Sequence, residues 1–307
     1  MGLVSKFTLL SYIWAMLDMY LKYLESEKRY SPKTIEAYRS DLCKFFDRID
    51  FNISVENIGE IKSSEIRNWV LGLIDENHSP LTVNRKLSAL NGFFKYMIRE
   101  RIIDANPVNK IKSLKGKKRL PVFLEEKKLN NYLDITFNIK DNYFAMRDWA
   151  IIELLYATGI RREELINIKI KDISGDCIKV MGKGRKERLI PLTPNLIVLL
   201  QQLTSKRNEV NVKNDNEYVF LTNRGEKMYP NFVYRLMKHE LAVAGFTGKK
   251  SPHVLRHTFA THMLNNGADL NSIKTILGHS SLAATQIYTH TTFKDLKRIH
   301  NKTHPRK

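Results

Sequence analysis

Between His253 and His290 the stretch HVLRHTFATHMLNNGADLNSIKTILGHSSLAATQIYTH holds five of the chain's 9 histidines, together with one arginine, Arg256, and one tyrosine, Tyr288. These residue types shuttle protons, grip phosphate oxygens or act as nucleophiles, yet they sit in what otherwise reads as ordinary helix. On a helix opened by Ser251-Pro252, the residues His253, Arg256 and His257 are spaced by three and four and share one face, while Val254, Leu255, Phe259 and Met263 point elsewhere. The i, i+4 pair His253/His257 has the spacing of a zinc pair. Against that reading stand the neighbouring cation Arg256, the lack of an HExxH pattern, and two cysteines, Cys43 and Cys177, without ligand spacing. Further on, ILGHSSLAATQIYTH closes one helix at Gly278, presents His279, opens another at Ser280 or Ser281 and places Tyr288 about two turns along it.

Two shorter stretches offer cations. In ATGIRREEL, Gly159 breaks a helix and Arg161 stands near the start of the next, an unfavourable place for a cation unless an anion is bound there. The competing reading is a surface arginine paired with Glu163 or Glu164. In GKGRKER, Lys183 lies between two glycines at the tip of an expected hairpin, where the backbone can approach a ligand and the ammonium can donate a proton. No GxxxxGK[ST] accompanies it, so it is not a nucleotide-binding P-loop.

The elements that must position these groups follow from periodicity. Ser31-Pro32, Ser79-Pro80 and Ser251-Pro252 each set a capping serine before a proline at the first helical position. Helical spacing of Ile35, Tyr38, Leu42, Phe45 and Phe46, and of Val83, Leu87, Leu90, Phe93, Phe94 and Met97, predicts a bundle of four or five helices in the first hundred or so residues. Lys33, Arg39, Lys44, Arg85, Lys86 and Lys95 give it basic faces. FTLLSYIWAML near the start is too short to span a bilayer and continues through Leu17, Tyr20, Leu21 and Leu24 as an amphipathic helix. SLKGKKRLPVFLEE reads as an exposed basic linker. Beyond it NIKIKDI, CIKVMG and ERLIPL, separated by SGD and KGRK, predict a three-stranded antiparallel sheet among helices. The fold class is therefore mainly α with a small antiparallel β-sheet (α+β): residues 1–112 a helical domain, 113–120 a basic linker, 121–307 a second domain ending in a tail helix.

At 307 residues the chain is long enough for two domains, and its 43% hydrophobic content supports real cores. The 51 Lys and Arg against 32 Asp and Glu give a net charge of +19, with a pI near 9.8. Such an excess suits a protein that lies along a phosphate backbone. Cys43 and Cys177 are far apart, which implies no disulfide framework and fits a reducing cytoplasm.

Taken in order, Arg161, Lys183, His253-x-x-Arg256, His279 and Tyr288 resemble the signature of the tyrosine recombinases, the phage integrase family, and among them the Xer type. The resemblance spans nearly the whole chain. It implies that 1–112 is a SAM-like core-binding domain, that 121–307 is the catalytic domain, and that the two clamp duplex DNA. Tyr288 would attack a phosphodiester to give a 3′-phosphotyrosyl enzyme and a free 5′-hydroxyl. Arg161 and Arg256 would hold the non-bridging oxygens. Lys183 would be the general acid for the departing oxygen, with His253 and His279 shuttling protons or hydrogen-bonding the phosphate. Glu164 would orient Arg161. No cofactor, metal or nucleotide is implied.

The same resemblance implies a cytoplasmic, nucleoid-associated enzyme working as a homo-tetramer or a hetero-tetramer with a related recombinase at a specific DNA site, without membrane insertion. An FtsK-type translocase is a further partner of Xer systems, whose task is resolving chromosome dimers at a dif-like site before cell division. The tail, with Phe293, Leu296 and Ile299 on one helical face, would dock on a neighbouring subunit; the alternative is packing on its own domain. Rival readings are an integrase of a mobile element, a non-catalytic DNA-binding protein and a metal-dependent nuclease.

Overall fold

The Ser-Pro steps at residues 31 and 79 open helices because each serine supplies an acceptor for an otherwise unpaired amide and each proline needs no donor of its own. A computed structural model of the chain describes residues 4–49, 58–116, 122–137, 142–182, 187–208, 210, 217–278 and 290–306. In it the Ser31 hydroxyl accepts from the Thr34 amide at 3.2 Å, and the Ser79 hydroxyl from the Thr82 amide at 3.2 Å. The chain divides into two units, Met1–Arg119 and Leu120–Lys307.

The first unit holds α1 (Val4–Ser26), α2 (Pro32–Arg48), α3 (Ser63–Asp75) and α4 (Pro80–Arg99), with 3-10 turns at Ile58–Glu60 and Pro107–Lys110. Leu17, Tyr20, Leu21 and Leu24 of α1 meet Leu42, Phe45 and Phe46 of α2 and Phe93, Phe94 and Met97 of α4 in one core. One expected surface cation is not at the surface. Lys86 is buried, and its ammonium lies 2.9 Å from the equally buried Asp41 carboxylate, which also accepts from Arg85 at 3.1 Å. A buried carboxylate needs such compensation, so Lys86 is spent inside the bundle rather than on its basic face.

The second unit runs α5 (Glu126–Phe137), α6 (Tyr143–Thr158), α7 (Arg162–Leu165), a 3-10 turn (Ile170–Asp172), β1 (Ile173–Ser174), β2 (Cys177–Met181), β3 (Glu187–Pro191), α8 (Pro194–Arg207), α9 (Pro230–Val243), α10 (Pro252–Asn265), α11 (Leu270–Leu277) and α12 (His290–Thr303). α6 is apolar around most of its circumference and is the buried centre of this unit. The sheet is antiparallel in the order β1-β2-β3, its long ladder running from Cys177↔Pro191 to Met181↔Glu187.

Two expectations are corrected. NIKIKDI is not a full strand: the Asp172 carboxylate accepts from the Lys169 amide at 3.0 Å and tightens Ile170–Asp172 into a 3-10 turn. The alternation before it serves a different partner, since Val219 donates to the Ile168 carbonyl at 2.9 Å and Ile170 to that of Glu217 at 3.0 Å. Ser251 stands at the N-cap of α10, but its side chain makes no capping bond.

Of the two places expected for the tail, the single chain has the second, packed on its own domain. Leu296 is buried and Ile299 partly so, against Phe259, Met263, Ile273, Ile276 and Leu277 of the same unit; the Phe293 side chain lies outside the described residues. The tail also caps α6. His300 Nε2 donates to the Ala157 carbonyl at 2.7 Å, and His304 Nε2 to that of Tyr156 at 3.2 Å, satisfying two oxygens that the helix end leaves unpaired. Ion pairs from Lys297 to Asp176 (2.5 Å) and Arg306 to Glu153 (3.0 Å) complete the docking within its own unit. No helix among the described residues is long and apolar enough to cross a membrane.

Candidate active site

α6 stops at Gly159, which is left-handed at φ 59° and ψ 20°. A Cβ there would fall 2.5 Å from Phe259 Cδ1 and 2.7 Å from Leu277 Cδ2, so both conformation and space demand glycine. The chain then extends through Arg161, the N-cap of α7. The Glu164 carboxylate reaches back to accept from the Arg161 amide at 2.8 Å and from its guanidinium at 2.8 Å. The pairing with Glu164 that the sequence allowed is present, but its carboxylate is buried rather than at the surface, only 6% exposed.

α10 brings Arg256 to the same place. Its Nη1 donates to the Gly159 carbonyl at 2.6 Å and its Nη2 to the Leu277 carbonyl at 2.6 Å. Arg161 Nη2 donates to the Gly278 carbonyl at 3.0 Å. A third guanidinium joins them: Arg188 of β3 gives Nε to the Ile276 carbonyl at 3.2 Å and makes a two-pronged pair with Glu164 at 2.6 and 2.9 Å. Three successive carbonyls at the end of α11 thus each receive an arginine. The negative end of a helix and its unpaired acceptors make that geometry favourable.

The charges are unequal: three guanidiniums face one carboxylate. Burial pushes the Glu164 carboxyl up, but the bonds and charge of Arg188, with the amide and guanidinium of Arg161, outweigh it and hold the group below its ordinary value. Arg256 is pushed down to about 10 by burial and by the Arg161 cation, with Glu164 acting the other way. Among the described residues its guanidinium is fixed by main-chain oxygens rather than by a carboxylate. A cation so held is poised for an anion that brings its own compensating charge.

His253 is exposed one turn before Arg256. It lines an open cleft of about 510 Å³ with Arg162, Tyr234, Lys238, Lys249 and Lys250. His257 is half-buried on the same helix, and no three His, Cys, Asp or Glu side chains gather as a metal-ligand group among the described residues. Lys183, His279 and Tyr288 lie outside the described residues; Met181 and Glu187 flank the first of these in the β2–β3 ladder, and Gly278 directly precedes the second in sequence.

Sequence reasoning missed Arg188. The signal was present in the alternation of strand side chains: Arg188, Ile190 and Leu192 are spaced by two and are all buried. It was masked by the run of cations in GKGRKER.

Residues 123–295 match the phage integrase family, and residues 17–101 match the phage integrase N-terminal SAM-like domain. The chain belongs to the phage integrase family. Among its relatives in this family, the tyrosine recombinase XerC of Myxococcus xanthus is 36% identical over 95% of this chain and 98% of its own length. The tyrosine recombinase XerC of Chlorobaculum parvum is 33% identical over 94% of each. This phage integrase family member is thus an enzyme of the tyrosine recombinase type. The solved XerH recombinase bound to palindromic difH in a post-cleavage complex is similar at 25% identity and a TM-score of 0.68, over 92% of this chain and 83% of that one. A lambda integrase (75–356) dimer bound to a COC′ core site shares the fold at 20% identity and a TM-score of 0.64, over 89% of this chain and 98% of that one.

Proposed function

We propose that the protein is a cytoplasmic, site-specific DNA recombinase that resolves chromosome dimers at a dif-like site, working as a tetramer of itself or with a related recombinase and activated by an FtsK-type translocase. The observation that carries the chemical part is the pair Arg161 and Arg256, held side by side on the carbonyls at the end of α11 with a net positive surround. In this reading residues 1–112 bind the core site, 113–120 link the domains and 121–307 perform catalysis.

The Tyr288 oxygen forms a bond to phosphorus as the bond to the 5′-oxygen breaks. The phenol proton is released and the departing oxygen takes one from Lys183, so a 3′-phosphotyrosyl diester and a 5′-hydroxyl result. Negative charge that builds on the non-bridging oxygens meets Arg161 and Arg256, donors already oriented before the substrate arrives. His253 and His279 hydrogen-bond the phosphate or pass protons. Because one phosphodiester is exchanged for another, rejoining needs no nucleotide hydrolysis. The chromosomal role is supported by the XerC relatives, which match over nearly the full length of both chains. The phage-type alternative, an integrase of a mobile element, is separated from it by the DNA site itself.

The test is to trap the covalent complex and sequence the DNA recovered with it. Tyr288→Phe should abolish the adduct while leaving sequence-specific binding intact. An adduct persisting in that variant would assign the nucleophile elsewhere, and recovered ends belonging to a mobile element rather than to a chromosomal dif-like site would overturn the dimer-resolution reading.

A further inference from the structure

The Glu164 carboxylate accepts four N–H donors, two from Arg161 and two from Arg188. Both side chains of the Glu164–Arg188 pair are almost fully buried, at 4% and 5% exposure, whereas the Arg161 side chain is 32% exposed. Arg188 therefore cannot be the group that meets a large substrate, yet it shares the Glu164 carboxylate with one that can. It also touches the far side of the site. Its Nε holds the Ile276 carbonyl, and a Cβ on Gly278 would come within 3.0 Å of its Cδ, so the arginine packs against the residue that precedes His279.

We propose that Arg188 is a positioning residue for strand cleavage, which holds the Glu164 carboxylate and the end of α11 so that Arg161 keeps both its aim and its charge for the scissile phosphate. The inference rests on the recombinase reading. With Arg188 present, Arg161, Arg188 and Arg256 against Glu164 leave a net charge of +2; without it the balance is +1. The carboxylate, deprived of its two-pronged partner, would then have only Arg161 to turn to in a buried setting, where an uncompensated charge is strongly disfavoured. Arg161 would be drawn down onto Glu164 and partly neutralised. A merely structural buried pair would weaken the fold when broken but would leave the chemistry of folded, DNA-bound molecules alone.

The experiment measures single-turnover formation of the covalent complex at saturating protein on a suicide duplex. The scissile group is either an ordinary phosphodiester or a methylphosphonate, which is neutral and makes less demand on a cation. The proteins are the unchanged chain, Arg188→Met, Arg188→Lys and the double variant Arg188→Met/Glu164→Gln. On the ordinary substrate Arg188→Met should slow by at least about tenfold with nearly unchanged DNA affinity, and on the methylphosphonate by no more than about threefold, because less charge develops for Arg161 to hold. The double variant should be faster than Arg188→Met, since the amide no longer neutralises Arg161 while still accepting its hydrogen bond. Should Arg188→Met fail to fold, Arg188→Lys, which keeps the cation but loses the two-pronged geometry, should show a smaller loss that is still confined to the ordinary substrate.

Folded, DNA-bound variants that cleave both substrates at the unchanged rate would overturn the proposal, as would an equal loss on both. Absence of any adduct from the unchanged chain would overturn the recombinase reading and this inference with it.

Discussion

Acid should loosen the tail before it unfolds the rest of the second unit. His300 and His304 are buried at the end of α6 and donate through Nε2 to its carbonyls, while His304 Nδ1 accepts from the Arg306 amide at 2.9 Å, which holds His304 neutral. Burial pushes both imidazoles down. For His304, which is held well below the ordinary value, the nearby His300, His262 and Arg306 add to the effect. In the unfolded chain each titrates near about 6.5. The sign follows: above that value both states are neutral and the stability is fully present, and below it the unfolded state gains protons that the folded state refuses. At pH 5.5 each histidine then removes at most about 1.4 kcal/mol, from RT ln(1 + 10), so the pair removes up to about 2.8 kcal/mol. For a domain of this size that is roughly 6–11 °C of melting temperature. Three carboxylates face the cluster, Glu153, Asp134 and Glu126, and all three stay in place in the variant below, so the comparison isolates the histidines. Calorimetry of the full chain at pH 7.5 and 5.5 should show the fall, and a His300→Asn/His304→Asn variant should lose most of the difference even though it melts lower throughout. A variant as pH-sensitive as the unchanged chain would refute the reasoning.

Three further outcomes are expected. Deleting the chain from Phe293 onward should lower the melting temperature of the second unit, because it uncaps α6 and exposes the face that Leu296 covers; an unchanged melting temperature, with lost cooperativity on half-sites, would instead favour exchange between subunits. Gly159→Ala should cost about 2–5 kcal/mol, from an αL penalty of about 1–2 and overpacking of about 1–3 against Phe259 and Leu277, read by denaturant titration. Lys183→Ala should slow cleavage strongly on ordinary DNA and recover on a substrate with a bridging 5′-sulfur, a leaving group that needs little protonation, whereas Arg256→Ala should not recover; equal rescue of both would contradict the division of roles.

Helix signals in the chain are local and were therefore readable. Ser31, Ser79 and Gly159 act on their immediate neighbours, and the apolar spacing of Leu42, Phe45 and Phe46 reports one face of one helix. Arg161 and Arg256 were legible as candidates because motif order does not depend on contact. What could not be read were choices of partner across the fold. Lys86 looks like any surface lysine until Asp41 is brought beneath it from 45 residues away. NIKIKDI alternates like a strand, but Ile168 and Ile170 bond to Val219 and Glu217. His300 and His304 resemble a polar tail until the end of α6 offers them carbonyls.

What the three arginines grip of α11 is its main-chain oxygens, not its side chains, and this sets what kinds of change the helix can absorb. Replacing Ile276 or Leu277 by another apolar residue alters packing but leaves the carbonyls where they are. Inserting or removing a single residue within α11 is a different matter. It would turn the helix end by about 100° and shift it by about 1.5 Å, moving all three acceptors off their guanidiniums at once. Length in α11 is thus more tightly constrained than composition, and the same step would rotate the start of the segment that leads to His279 and Tyr288.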